Sequence, residues 1–106
     1  MGLSQKTCVP CRGGVPPLSR DEIAPLVAQV DSWYVVDIHH IGKEFEFPDF
    51  LTALQFVNRV GKIAEEQGHH PDISLGWGKV VLTIWTHKID GLTEGDFILA
   101  AKIDGI

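Results

Sequence analysis

Three of the five histidines in this chain lie within a short stretch of its C-terminal half, together with a carboxylate. His69 and His70 are adjacent, His87 follows, and the carboxylate is Asp96. Histidine is the side chain that titrates near neutral pH, and a positioned histidine can serve as a general acid or base. No phosphate-binding or metal-binding motif lies beside these residues. The group therefore indicates acid–base chemistry on an uncharged ligand.

Each of these residues also has an ordinary structural explanation. Histidines at a helix C-terminus often cap carbonyl groups, which is the alternative for His69 and His70. Asp96 lies three residues after Thr93 in a capping-box pattern, which stabilises a helix by about 1 kcal/mol. His87, at a strand end, has the alternative of being a half-buried polar residue. The functional interpretation therefore requires the fold to bring these residues to one edge of the molecule.

Metal binding is a second interpretation of the same residues. Three histidines and an open position would suit catalytic zinc, but no His-x-His or His-x-x-x-His spacing preorganises a pair. Cys8 and Cys11 form a Cys-x-x-Cys motif that neither follows a strand nor opens a helix, so we expect an inert leader. A redox role, or a metal shared between subunits or with the pair His39–His40, is the alternative for these cysteines. We expect neither a metal nor an organic cofactor.

Length and composition are typical of one globular domain. The chain has 106 residues, of which 44% are hydrophobic, and a formal net charge of −5. Its basic residues are scattered, so we expect no direct binding to nucleic acid. No apolar run reaches the roughly 18 residues of a membrane span, and the N-terminus lacks a secretory hydrophobic region. We expect a cytoplasmic protein without membrane association.

Hydrophobic periodicity and capping patterns locate the elements that must position the histidines. A flexible leader over residues 1–17 precedes a single domain over residues 18–106, whose first helix begins at the capping box Ser19–Glu22. The later elements are strands at Trp33–Ile38 and Ile41–Phe47, a helix at Asp49–Gln67, strands at Asp72–Trp77 and Lys79–His87, and a helix from Thr93 through Ile103. The order α-β-β-α-β-β-α predicts an α+β fold, a four-stranded antiparallel sheet with helices layered on one face.

The long predicted helix carries more apolar surface than one sheet requires. Its two apolar rows are Phe50, Leu54, Val57, Gly61 and Ala64, and Phe56, Val60 and Ile63. A second row implies burial against something else, most economically another copy of the chain. We therefore expect a dimer or tetramer. The pair His39–His40, in the first predicted hairpin, has no predicted partner, and we assign it no role.

The sequence around the histidines resembles that of the pterin-4a-carbinolamine dehydratases. The resemblance lies in Glu-x-x-x-His-His-Pro-Asp over residues 65–72, Thr-His over residues 86–87, and Gly-Leu-Thr-x-x-Asp over residues 91–96. The order of elements also matches that family from about Leu18 onward. Two positions depart from the usual pattern: an aromatic residue is replaced by Ile73, and a tyrosine by Trp77. Both changes would reshape the pocket wall and leave the acid–base groups in place.

The resemblance implies a reaction, the loss of water from a 4a-hydroxytetrahydropterin to give a quinonoid dihydropterin. By position, His69 is similar to the general acid toward the leaving hydroxyl, and His70 to the residue that binds and orients the ring. His87 corresponds to a histidine on the opposite side of the ring that can serve the other 4a epimer. Asp96 matches a carboxylate that orients a histidine, and Glu65 an acidic residue lining the pocket. Such an enzyme would support tetrahydropterin recycling, with tetrahydrobiopterin as the usual pterin.

In such an enzyme, Trp77 or Trp85 would flank the pterin ring.

Other functions of such a chain remain as alternatives. A non-catalytic dimerisation or assembly cofactor is the second function that the resemblance allows, since one animal family member also binds a transcription factor. A histidine-based metal hydrolase is the third. The presence of all five acid–base positions favours the dehydratase, because a binding module does not need them.

Overall fold

A computed structural model describes residues 2–7 and 15–106 of the chain. The elements in chain order are a 3₁₀ turn at Leu3–Gln5, α1 at Arg20–Val27, β1 at Tyr34–Val36, β2 at His40–Glu46, α2 at Phe50–Gln67, β3 at Asp72–Gly76, β4 at Lys79–Ile84 and α3 at Glu94–Asp104. The predicted order is confirmed. β2 begins one residue earlier than expected, and the other strand ends that differ are one to three residues shorter. The predictions for Cys8 and Cys11 fall outside the described residues.

Capping contacts mark the ends of α1 and α2. The Ser19 N–H donates to Glu22 Oε1 over 2.9 Å at the start of α1, and the Glu22 N–H donates to Ser19 Oγ over 3.3 Å. Asp49 caps α2 by accepting the Thr52 N–H at 2.7 Å. Gly68 ends α2 with a φ of 62°, a conformation that glycine adopts without steric cost. The residue that follows this stop is His69, so the cap also determines where the histidine pair begins.

The four strands form one antiparallel sheet in the order β1-β2-β4-β3. The two hairpins therefore meet in the middle of the sheet, where Ile41 lies opposite Ile84. Asp72, at the start of β3, lies opposite Thr83, near the end of β4. This register places the beginning of β3 and the end of β4 at the same edge, next to the end of α2.

One face of the sheet packs against the helices. Alternate residues of β4, namely Val80, Leu82 and Ile84, are fully buried. The α2 side of this core is formed by Ala53, Phe56, Val60 and Ala64. The α+β class is thus confirmed, with α3 so enclosed that most of its residues are buried. Burial of α3 brings Asp96, in its first turn, into the interior.

Beside its core-facing row, α2 carries apolar residues that are only partly covered. Phe50 and Leu51 are exposed, and Leu54 and Val57 are half-buried. The buried residues follow the spacing of Ala53, Phe56, Val60 and Ala64, so the core-facing row combines members of both predicted rows. The second apolar face that motivated the expected self-association is therefore present beside the core-facing row.

The first described residues pack against α3. Leu3 is buried in the core, and Lys6 Nζ lies 2.9 Å from Glu94 Oε2. Lys102 Nζ also donates to the Ser4 carbonyl oxygen over 2.8 Å. Within residues 2–7 and 15–106, none of the helices combines the length and the hydropathy needed to cross a bilayer.

Candidate active site

The ends of α2 and β4 and the start of α3 meet at one edge of the sheet. His69 follows the α2 cap, Thr86 lies two residues beyond β4, and Thr93 precedes α3. Thr86 Oγ1 and Thr93 Oγ1 are 2.9 Å apart, and Thr86 pairs with Gly91 in an isolated antiparallel bridge. The end of β4 and the start of α3 are thus in direct contact through these two threonines.

Asp96 is the centre of this cluster and is 0% exposed. Its Oδ2 accepts the Thr93 N–H at 2.8 Å and the Thr86 hydroxyl at 3.0 Å. Its Oδ1 lies 2.5 Å from His69 Nε2. A buried carboxylate is tolerated only when hydrogen-bonded, and three donors satisfy this one. The capping role and the histidine-orienting role, which the sequence presents as alternatives, are therefore performed by the two different oxygens of the same group.

The contact with Asp96 decides which nitrogen of His69 is available for chemistry. A carboxylate accepts hydrogen bonds, so Nε2 carries a proton and donates it toward Oδ1. Nδ1 is then the nitrogen that can exchange a proton with a ligand. This edge of the ring lies beside the first turn of α3, where a Cβ built on Gly95 would be 3.9 Å from both Cε1 and Nδ1. The absence of a side chain at Gly95 leaves that edge uncrowded.

His70 belongs to a more exposed part of the site. Its Nε2 donates to Glu65 Oε1 over 2.8 Å, and both side chains are mostly accessible. Glu65 lies in the last turn of α2, so the pair links the helix to the loop that leads into β3. Adjacent histidines thus receive separate carboxylate partners, Asp96 for the first and Glu65 for the second. This arrangement orients the two imidazoles independently.

His87 lies in the turn after β4, directly after Thr86 in the chain. Its ring contacts that of Trp85, with centroids 4.3 Å apart. The described contacts join His87 to His69 through Thr86 and Asp96, and no direct contact with the histidine pair is present among the described residues. His87 is exposed.

The pair His39–His40 has partners, contrary to the prediction that it has none. His39 Nε2 lies 2.7 Å from Asp90 Oδ1, and the two Nδ1 atoms of the pair are 3.0 Å apart. Both rings contact Trp85, at centroid distances of 5.5 Å and 5.9 Å. The prediction failed because these contacts run from the first hairpin to the turn after β4, and pairing of β2 with β4 brings them together.

Trp77 is not part of this cluster within one chain. It lies at the turn between β3 and β4 and is 75% exposed. It lies five positions beyond Asp72, roughly 16 Å along an extended strand. Trp85, the other tryptophan that the sequence suggested, is the one whose ring contacts His87.

Thr86 is the site residue whose role the sequence analysis did not identify. A usable indication was present, because alternation along β4 places Thr86 on the same buried face as Leu82 and Ile84. A hydroxyl on a buried face needs a hydrogen-bond partner, and Asp96 is that partner. Among residues 2–7 and 15–106, no three or more His, Cys, Asp or Glu side chains are grouped so that they could hold a metal ion.

The chain is similar to known proteins over most of its length. The family model described as pterin 4 alpha carbinolamine dehydratase matches residues 16–106. A protein of Rubrobacter xylanophilus, named "Putative pterin-4-alpha-carbinolamine dehydratase", is 59% identical over 102 residues, covering 96% of this chain and 95% of that protein. A protein of Rickettsia bellii with the same name is 52% identical over 103 residues, covering 96% of this chain and 91% of that one.

Two solved structures share the fold. A transcriptional coactivator/pterin dehydratase from Brucella melitensis superposes with a TM-score of 0.79 at 32% identity, covering 84% of this chain and 96% of that one. A pterin dehydratase-like protein identified as a RuBisCO assembly factor in the alpha-carboxysome gives a TM-score of 0.60 at 25% identity, covering 71% and 88%. The match over nearly the whole domain, together with the extent of identity, shows that this chain belongs to the pterin-4-alpha-carbinolamine dehydratase family.

Proposed function

We propose that this protein catalyses the dehydration of a 4a-hydroxytetrahydropterin to a quinonoid dihydropterin. The single observation that carries the proposal is the His69–Asp96 contact, in which a buried carboxylate with two further donors holds one imidazole nitrogen. Such a group is costly to bury and serves to orient the histidine. Membership of the family supplies the substrate class, a pterin.

The chemistry requires a proton donor, a proton acceptor and a socket for a flat ring. The C4a–oxygen bond breaks as the hydroxyl takes a proton and leaves as water. The N5 lone pair forms the new double bond to C4a, and the N5 proton passes to a base. A positioned general acid or base contributes about 10²–10⁴-fold to such a step. The reaction is balanced with water as the only other product.

His69 is the proposed acid toward the leaving hydroxyl, acting through Nδ1 while Nε2 stays bound to Asp96. His70, oriented by Glu65, binds the ring and orients it. His87 approaches from the other side and serves the other 4a epimer, supported by the contact between its ring and that of Trp85. Tetrahydrobiopterin is the proposed parent pterin.

The direct test is the decay of synthetic 4a-hydroxytetrahydropterin, followed by absorbance with purified protein in the presence of EDTA. We expect His69→Ala and His70→Ala each to lower kcat by about 10–10³-fold, the size of a lost general-acid contribution. Glu66→Ala is the control, because Glu66 is an exposed neighbour of Glu65 on α2. Wild-type turnover by a protein that carries both His69→Ala and His70→Ala would disprove these roles. Loss of wild-type activity on chelation would favour a metal enzyme.

A second candidate function is that of a partner-binding or assembly protein. It is favoured by the two solved relatives, which are described as a transcriptional coactivator/pterin dehydratase and as a RuBisCO assembly factor. If the protein is a non-catalytic cofactor of this kind, the wild type will not accelerate the decay of the carbinolamine above the uncatalysed rate. The same assay therefore separates the two functions.

A further inference from the structure

The turn that carries His87 is anchored at its base. The Thr86 N–H donates to the Gly91 carbonyl oxygen over 2.9 Å, and the Gly91 N–H returns to the Thr86 carbonyl oxygen at 3.4 Å. Within it, the Asp90 N–H donates to the His87 carbonyl oxygen over 3.2 Å. The Thr86 side chain is bound to Asp96, so the base of the turn is fixed to the buried cluster.

The tip of the turn has a different anchor. Asp90 adopts a φ of 55° and directs Oδ1 to His39 Nε2 at 2.7 Å. His39 belongs to the segment between β1 and β2, so this contact ties two separate hairpins together. Because a carboxylate only accepts, His39 Nε2 carries the proton, and in the neutral ring Nδ1 then accepts from His40 Nδ1. Both nitrogens of His39 are occupied in this way.

Ring contacts connect the same residues to His87. His39 and Trp85 have centroids 5.5 Å apart, and Trp85 and His87 have centroids 4.3 Å apart. His87 therefore contacts an aromatic neighbour, and it belongs to a turn whose base and tip are anchored separately. The Asp90 side chain is 87% exposed, and an exposed contact of this kind contributes little to global stability. We instead expect the His39–Asp90 contact to affect the position of the His87 side chain, which lies in the turn that this contact anchors.

We propose that His39 is a positioning residue for His87, acting through Asp90 and Trp85. This inference rests on the proposed function, in which His87 serves one of the two 4a epimers. A small displacement of a reacting group has a large effect on rate, so loss of the His39–Asp90 contact alters one epimer's turnover selectively. The other epimer, which depends on His69, is unaffected because Asp96 holds that residue separately.

The test uses the full chain with each 4a epimer supplied separately. Asp90→Asn removes the charge and keeps a residue that tolerates positive φ. His39→Phe keeps a ring against Trp85 and removes both nitrogens. We expect each variant to lower kcat/KM for one epimer by about 10-fold, and the double variant to lower it no further. Glu44→Gln, which removes the exposed Lys79–Glu44 pair elsewhere on the sheet, is the control and leaves the epimer ratio unchanged.

An equal loss for both epimers, or an unchanged ratio in both variants, would overturn the proposal. A second readout is independent of activity: the imidazole NMR resonances of His87 shift in Asp90→Asn and stay in place in Glu44→Gln. If the wild type turned over neither epimer, the proposed function would fail. The resonances of His87 would then decide the positioning role by themselves, and an unmoved signal in Asp90→Asn would reject it.

Discussion

At the residue scale, a single buried carboxylate both caps a helix and contacts a histidine. Asp96 closes the first turn of α3 with Oδ2 and orients His69 with Oδ1. Helix capping and histidine orientation are usually weighed as competing explanations for an acidic residue at this position. Here Asp96 has both roles, because the first turn of α3 lies in space beside the residue that follows the end of α2. The capping pattern could be recognised in the sequence, whereas the second contact required knowledge of where α2 lies.

Thr86 provides the residue-scale prediction. Thr86→Val keeps the shape of the side chain but removes a donor to Asp96, leaving a buried carboxylate with two donors. Loss of a hydrogen bond to a buried charged group is expected to lower the free energy of unfolding by about 1–3 kcal/mol. We expect kcat to fall by about 10-fold, because His69 is held less firmly. Urea unfolding and the carbinolamine assay measure the two effects.

Thr86→Ser is the matched control for this prediction, since it retains the hydroxyl. It should recover most of the kcat that Thr86→Val loses. Wild-type kcat in Thr86→Val would show that Thr86 has no influence on His69.

At the element scale, helix caps whose sequence patterns are local were all predictable. The caps at Ser19–Glu22 and Gly68 lie where the sequence places them, because each contact joins residues at most a few positions apart. The turn between β1 and β2 was not predictable in the same way. It contains Asp37 and Ile38, both with positive φ, in place of the Asn-Gly that such turns favour.

The cap of α1 gives a pH-dependent stability. Hydrogen bonds from the Ser19 backbone and then its side chain lower the pKa of Glu22 below its ordinary value of 4.5. A carboxyl whose pKa is depressed on folding stabilises the fold at pH values above its pKa in the unfolded state. This contribution disappears as the pH falls through its pKa in the folded state. Glu22→Gln should therefore flatten the loss of stability below about pH 4.5. Urea midpoints between pH 3 and pH 6 test this.

Glu46→Gln, on β2, controls for the removal of one negative charge. If it flattened the acid-side slope as much as Glu22→Gln, net charge would be responsible and the cap would not.

Ile38 allows a test of backbone strain. Its φ of 58° lies in the left-handed region, which costs a β-branched residue about 1–2 kcal/mol. Ile38→Gly should remove that cost and raise the unfolding free energy by up to about 1 kcal/mol, after allowance for lost apolar contact. Ile73→Gly is the matched control, because Ile73 is 37% exposed, like Ile38 at 36%, and lies in β3. It should be destabilising, and the same sign for both variants would contradict the strain interpretation.

At the scale of the whole molecule, the apolar surface of α2 is larger than the core needs. Phe50 and Leu51 are exposed on this helix, and Leu54 and Val57 are only partly covered. We propose that a second copy of the chain covers this surface. Light scattering should therefore report a particle of two or four times the 11.7 kDa of one chain. A particle of 11.7 kDa at micromolar concentration would exclude the assembly.

The amino-acid sequence by itself determined the element order, the helix caps and the family, because each depends on residues that are near one another or on a pattern matched along the chain. Tertiary structure alone decided which of the candidate residues are in contact with one another. It joined His69 to Asp96, placed Thr86 between Asp96 and His87, gave His39 a partner in Asp90, and left Trp77 at the far end of its hairpin. The physical reason is that such contacts follow from the pairing of β2 with β4 and the burial of α3, which bring together residues up to 51 positions apart. No local pattern carries that information.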